Sequence, residues 1–295
     1  MIENVRIFCS LIRYFMKKVF LIPNVITALG LACGLFVIFR MNMAEPGVSN
    51  YALLHMSAIL LLIAGIADVL DGAVARFIKA ESEFGIHFDS LSDAITFGVA
   101  PSVIVLKTMS ATPGSDLSFL AMTSALIYSV CGVLRLVRFN VKTLKSQGNT
   151  EEEKANKKNF TGLPIPAAAA SAVSINLFLA SSDFENWFSL SNNAKTIILI
   201  IAMVILGYFM ISRWKFPSVK TLHFRVRSYH LVLITVMIAV FVLYGVFNHF
   251  ALLAAIGSWG YLICAWSLSI ARLIAGKKSK TLEDFEPEPD DTDDI

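Results

Sequence analysis

Between Phe20 and Ala275 the chain alternates long apolar runs with short charged or turn-rich connections, and this pattern constrains the fold more than any other feature. Hydrocarbon offers a backbone no hydrogen-bond partners, so a membrane-crossing segment is stable only as a helix or in a closed barrel. The runs approach the roughly 20 residues a spanning helix needs and show no strict alternation, which selects helices. Apolar residues make up 56% of the chain, against roughly 45–50% in soluble domains, and mean hydropathy is +0.67. The expected fold is an all-α polytopic membrane protein with about eight transmembrane helices. The spans are expected near 20–40, 51–78, 82–108, 117–141, 160–180, 194–212, 229–247 and 250–275. The last two are joined so tightly that they should form a helical hairpin.

The connections give the topology. All but Arg40, Lys107 and Lys195 of the 25 basic residues fall on one side if the N-terminus is cytoplasmic. Both termini, and the turn at 79–83, are therefore expected to face the cytoplasm, with the protein in the cytoplasmic (inner) membrane. Residues 1–19 carry Arg6, Arg13, Lys17 and Lys18 among apolar residues. They read as a juxtamembrane amphipathic segment or as the basic first turn of the next helix, and no small-residue cleavage site follows them. Residues 277–295 form an acidic tail without apolar periodicity, expected to be disordered. Cys9, Cys33, Cys131 and Cys264 are scattered with no C-x-x-C pair, as suits reduced thiols among packed helices. No nucleic-acid partner is expected.

The chemistry concentrates in the segment from Asp68 to Asp93. Asp68 and Asp71 are three residues apart and share a helix face with Gly72 and Arg76. After the turn, Gly85, Asp89 and Asp93 recur every four residues, with Ser82 placed to cap the new helix. Two antiparallel helices with these faces opposed would bring four carboxylates together, and Gly65, Gly72, Ala73 and Ala75 permit close approach. Carboxylates are costly at membrane depth and, where several converge, mark an ion or substrate site. Oxygen donors without His or Cys favour a hard cation, Mg²⁺ or Mn²⁺. Paired ions about 3.5–4 Å apart promote displacement at phosphorus. Arg76 offers a fixed fork for a phosphate or an aspartate. An ion-coupled transporter is the alternative from another class. It accounts for the aspartates but not for Arg76 and the glycines. Caps and salt bridges beside a cytoplasmic loop are the purely structural alternative.

The segment D-x2-D-G-x2-A-R-x8-G-x3-D-x3-D resembles, without departure, the signature of the CDP-alcohol phosphatidyltransferases. The resemblance covers about 20–215 and implies a six-helix catalytic core there and a homodimer; the last two expected spans make a C-terminal helical pair at 216–276 beyond it. It implies transfer of a phosphatidyl group from CDP-diacylglycerol to an alcohol, with release of CMP. By the same analogy Asp68, Asp71, Asp89 and Asp93 hold two divalent ions, and Asp93 also deprotonates the acceptor. Gly72, Arg76 and Gly85, with Asp68, shape the nucleotide site, with Asn24 and Thr27 of the P-N-V-I-T stretch at its edge. The flanking DSLSDAITFGVAP, RLVRFN and FTGLPIPAAA stretches resemble the phosphatidylserine synthase branch, implying L-serine as acceptor. Arg135, Arg138 and Asn140 are candidates for the acceptor or lipid phosphate, with positive-inside anchoring as the alternative for either arginine. Another acceptor, inositol phosphate or glycerol phosphate, is the second reading.

Overall fold

The computed structural model describes residues 21–44, 51–78, 82–112, 114–145, 159–212, 214–217 and 249–275. Helices α1 (Leu21–Asn42) and α2 (Tyr51–Phe77) open the bundle. The next span is one continuous rod made of α3 (Glu83–Asp93), a π-helical segment (Ala94–Val99) and α4 (Ala100–Thr108). Helix α5 (Asp116–Lys145) follows, then α6 (Ile165–Leu179), the short α7 (Ser182–Trp187), α8 (Asn192–Ile211) and α9 (Phe250–Ala275). Among the described residues six helices are long and apolar enough to cross a membrane: α1, α2, the α3–α4 rod, α5, α8 and α9. The chain is an integral membrane protein. The expected span at 229–247, the hairpin it would make with α9, residues 1–19 and the acidic tail lie outside the described residues.

The expected span near 160–180 takes a different form. Its helix, α6, has 15 residues, about 22 Å at 1.5 Å per residue and short of a hydrocarbon core of about 30 Å. It is instead the central post of the bundle, with Ile165, Ala168, Ala169, Ala172, Val173 and Leu177 all buried. The small residues let α8 and α9 approach it closely. The chain reaches α6 through a two-stranded antiparallel ribbon, β1 (Asn159–Thr161) against β2 (Lys215–Pro217). This is the one departure from an all-helical fold among the described residues. Gly162 follows at φ +76°, a backbone conformation that favours glycine. A Cβ there would stand 2.6 Å from the Met210 carbonyl oxygen. Its N–H donates to Trp214 O (2.9 Å) and that of Leu163 to Phe209 O (3.0 Å), which ties the start of α6 to the end of α8.

Two clusters form the interior. One joins Tyr128 and Leu136 of α5, Ile165 and Ala169 of α6, Met203 and Leu206 of α8, and Leu262 and Ala265 of α9. The other joins Val37 and Met41 of α1, Leu54 and Leu61 of α2, and Ile104 of α4 to Val173 and Leu177. Large apolar side chains such as Leu29, Phe39, Leu62, Phe119 and Leu126 point outward, as expected where the surrounding solvent is lipid.

The π-helical segment begins directly after Asp93. A π-turn breaks the i→i−4 ladder, and the carbonyls it releases need other donors. Helix α5 provides them: Tyr128 Oη donates to Phe97 O (3.1 Å) and Ser129 Oγ to Gly98 O (3.0 Å). Tyr128 is fully buried, so Tyr128→Phe leaves a buried carbonyl without its partner. The expected cost is about 1–3 kcal/mol, read as a lower unfolding temperature in detergent. An unchanged transition would show that this hydrogen bond does not hold the segment in place.

Candidate active site

The four aspartates converge as their spacing requires. Asp68 and Asp71 come from the last turns of α2, and Asp89 and Asp93 from the antiparallel α3. Ser82 caps α3 as expected, its Oγ accepting from Gly85 N–H at 3.0 Å. Carboxylate oxygens of Asp68, Asp71 and Asp89 lie within 4.8 Å of one another. Asp93 lines the same cleft beside them. Thr27, Gly30, Ala64, Ser92, Thr96 and Phe97 close the same cleft.

Helix α1 forms the third wall, and its glycines explain how it approaches. At Gly30 a Cβ would meet Ala67 Cβ at 3.6 Å, and at Gly34 it would stand 2.6 Å from Thr96 Oγ1. This seating brings Thr27 over the cleft, where its hydroxyl is shared between Pro23 O (3.0 Å) and the carboxylate of Asp71. Asn24 sits one turn earlier, at the edge. A Cβ on Gly85 would come within 3.1 Å of Asn24 Oδ1, so the absence of a side chain keeps this corner open. Gly72 and Arg76 lie at the outer end of α2, with Arg76 exposed and its Nη2 3.9 Å from the position of a Gly72 Cβ.

The RLVRFN residues divide. Arg135 is turned inward; its Nε is buried with no hydrogen-bond partner among the described residues, and its guanidinium lies 5.9 Å from the Phe139 ring centroid. Arg138 donates from Nη1 to Ile211 O at 3.1 Å, at the C-terminal turn of α8, where unpaired carbonyls favour a cation. Asn140 Nδ2 donates to Ser90 Oγ at 2.9 Å, joining α5 to α3. Neither Arg138 nor Asn140 lines the aspartate cleft. Their observed contacts are between helices, which spacing along the chain alone does not reveal.

The donor set fits a hard cation. None of the four aspartates makes a salt bridge among the described residues. Two carboxylate charges about 4 Å apart repel by roughly 4 kcal/mol at an effective dielectric near 20. A cluster of carboxylates inside an apolar bundle therefore calls for compensating positive charge, and an all-oxygen donor set could hold a hard divalent cation. Beside the cleft, sharing Phe97 with it, is a groove of about 490 Å³ lined by apolar side chains such as Leu62, Ile66, Val69, Val173 and Phe250. A carboxylate cluster and an apolar groove side by side suit a substrate with a charged head and a hydrocarbon body.

Residues 20–208 match the CDP-alcohol phosphatidyltransferase family, and the chain belongs to it. It is a membrane-embedded transferase of phospholipid synthesis. The CDP-diacylglycerol–serine O-phosphatidyltransferase of Helicobacter pylori (strain ATCC 700392 / 26695) is 34% identical over 218 residues, covering 74% of this chain and 81% of that one. The protein of the same name from Bacillus subtilis (strain 168) is 34% identical over 200 residues, 68% of this chain and 91% of its own. That of Methanocaldococcus jannaschii is 31% identical over 209 residues, 70% and 78%.

Proposed function

We propose that the protein transfers the phosphatidyl group of CDP-diacylglycerol to the hydroxyl of L-serine, giving phosphatidylserine and CMP. The observation that carries this reading is the convergence of Asp68, Asp71, Asp89 and Asp93 in a chain whose relatives bear that activity in their names. Two divalent ions, Mg²⁺ or Mn²⁺, held by the four aspartates would neutralise the pyrophosphate and the charge that develops on the departing CMP. Thr27 fixes the orientation of Asp71 by its hydrogen bond, as outer-shell donors do for ligating carboxylates. Gly72 and Gly85 leave room for the nucleotide between the backbones, with Asn24 at the edge and Arg76 near the phosphates. The acyl chains remain in lipid and along the apolar groove.

Asp93 takes the proton of the serine hydroxyl as its oxygen attacks the phosphorus that carries the diacylglycerol. The new P–O bond forms to serine, the P–O bond to CMP breaks, and CMP leaves with the electron pair. The guanidinium of Arg135, buried beside Asp93, receives the serine carboxylate. The distribution of basic residues supports a cleft that opens to the cytoplasm of an inner-membrane protein. The family resemblance supports a homodimer.

The reading is tested by supplying the purified protein with CDP-diacylglycerol, a divalent cation and labelled serine. Label is expected in an extractable lipid, in equimolar amount to CMP. Release of CMP without labelled lipid would contradict serine as acceptor.

A further inference from the structure

Thr96 lines the aspartate cleft one turn beyond Asp93, and its hydroxyl is placed differently from most others in the bundle. A serine or threonine in an apolar helix ordinarily donates back to a carbonyl of the preceding turn. Thr27, Ser57, Ser102, Thr108 and Ser171 all do so, each to the carbonyl four residues before it. Thr96 does not. It is 1% exposed, and its Oγ1 has no hydrogen-bond partner among the described residues. The residue falls inside the π-helical segment Ala94–Val99, where the regular i→i−4 ladder is interrupted.

Packing from two sides fixes this position. On one side is α1, where a Cβ on Gly34 would stand 2.6 Å from Thr96 Oγ1, so glycine at 34 is what leaves the hydroxyl room. On the other, Tyr128 and Ser129 of α5 hold the carbonyls of Phe97 and Gly98, the next two residues. A buried hydroxyl without a partner is destabilising, so its retention calls for a partner that comes from outside the chain. The cleft it shares with Asp68, Asp71, Asp89 and Asp93 suits a cation, and a bound cation brings oxygen atoms with it. A hydroxyl can accept from a metal-bound water or donate to a phosphate oxygen.

We propose that Thr96 is a positioning residue: its hydroxyl hydrogen-bonds an oxygen in the coordination shell of the cation at the aspartate cluster, either water or a phosphate oxygen of the CDP-linked lipid. The inference rests on the reading of the cleft as a divalent-cation site. It gives the π-helical segment a role, which is to free the Thr96 hydroxyl from its own backbone and leave it to the ligand.

The test compares Thr96→Val and Thr96→Ser with wild type in full-length protein. Mn²⁺ affinity is read by electron paramagnetic resonance, CDP affinity by calorimetry at saturating Mn²⁺, and the unfolding temperature without metal. Valine keeps the shape and the contact with α1 but lacks the hydroxyl, which serine keeps. Thr96→Val is expected to lose about tenfold in affinity, the lower end of what outer-shell partners contribute, and Thr96→Ser to stay within about threefold of wild type. A loss of Mn²⁺ affinity without nucleotide assigns the partner to water. A loss in CDP affinity alone assigns it to a phosphate oxygen. The metal-free unfolding temperature of Thr96→Val should equal or exceed that of wild type, because a methyl replaces an unpaired buried hydroxyl. Unchanged Mn²⁺ and CDP affinities in Thr96→Val would overturn the proposal. So would a lower unfolding temperature, or a serine variant as impaired as the valine one. Wild-type protein that binds no Mn²⁺ overturns the cation reading itself, which separates the two failures.

Discussion

Asp93→Asn is expected to lower serine-dependent CMP release by about 10²–10⁴-fold, the range that a positioned general base contributes. Asparagine has nearly the same shape but cannot accept the proton. Helix packing around position 93 should therefore survive, and the loss should appear in kcat. Nucleotide binding, measured as CDP affinity by calorimetry, should change little, because Asp68, Asp71 and Asp89 still form a cluster within 4.8 Å. Retention of serine-dependent turnover would remove Asp93 from the role of base. Loss of nucleotide binding together with turnover would assign it to metal holding alone.

The second large effect is removal of the divalent ions. Chelation is expected to abolish transfer, and Mg²⁺ or Mn²⁺ to restore it. Asp89→Asn should weaken metal binding at least about 100-fold, since even outer-shell partners of a metal ligand are worth about 10–100-fold. Thr27→Val is the informative companion. It removes the hydroxyl that bonds Asp71 while keeping all four carboxylates, and the expected loss is about 10–100-fold in metal affinity. Mn²⁺ binding followed by electron paramagnetic resonance reads both variants without requiring turnover. Transfer that continues in chelator would contradict a metal-assisted reaction.

Much of this site was legible in the chain. Spacings of three and four residues placed each pair of aspartates on one helix face, and the Ser82 cap set where the second helix starts. Antiparallel pairing followed from the short turn between them. What the spacing did not disclose depends on partners distant in sequence. Ala94–Val99 is apolar and reads as plain α-helix; its π geometry is held by Tyr128 and Ser129, some 31 residues away. The β1–β2 ribbon is invisible locally, because three-residue strands carry no periodicity and their partners lie on opposite sides of α6 and α8. Helix α6 has spanning hydropathy in sequence, but the Pro164–Pro166 start and the Ser181 cap bound it to 15 residues. Arg135 and Arg138 look alike one turn apart, yet one turns inward toward Asp93 and the other holds the end of α8. Ser92 and Thr96, which also line the cleft, fall at i+3 from Asp89 and Asp93, and that spacing is the signal that finds them.

The most direct measurement is an acceptor panel. Purified protein is incubated with CDP-diacylglycerol and Mg²⁺ or Mn²⁺, and CMP is quantified with serine, inositol phosphate, glycerol phosphate or no alcohol. CMP release is expected to be stimulated by serine alone, lost in chelator and lost in Asp93→Asn. Stimulation by a phosphorylated alcohol instead of serine would contradict the acceptor assignment, and no release with any acceptor would contradict phosphatidyl transfer at this aspartate cluster.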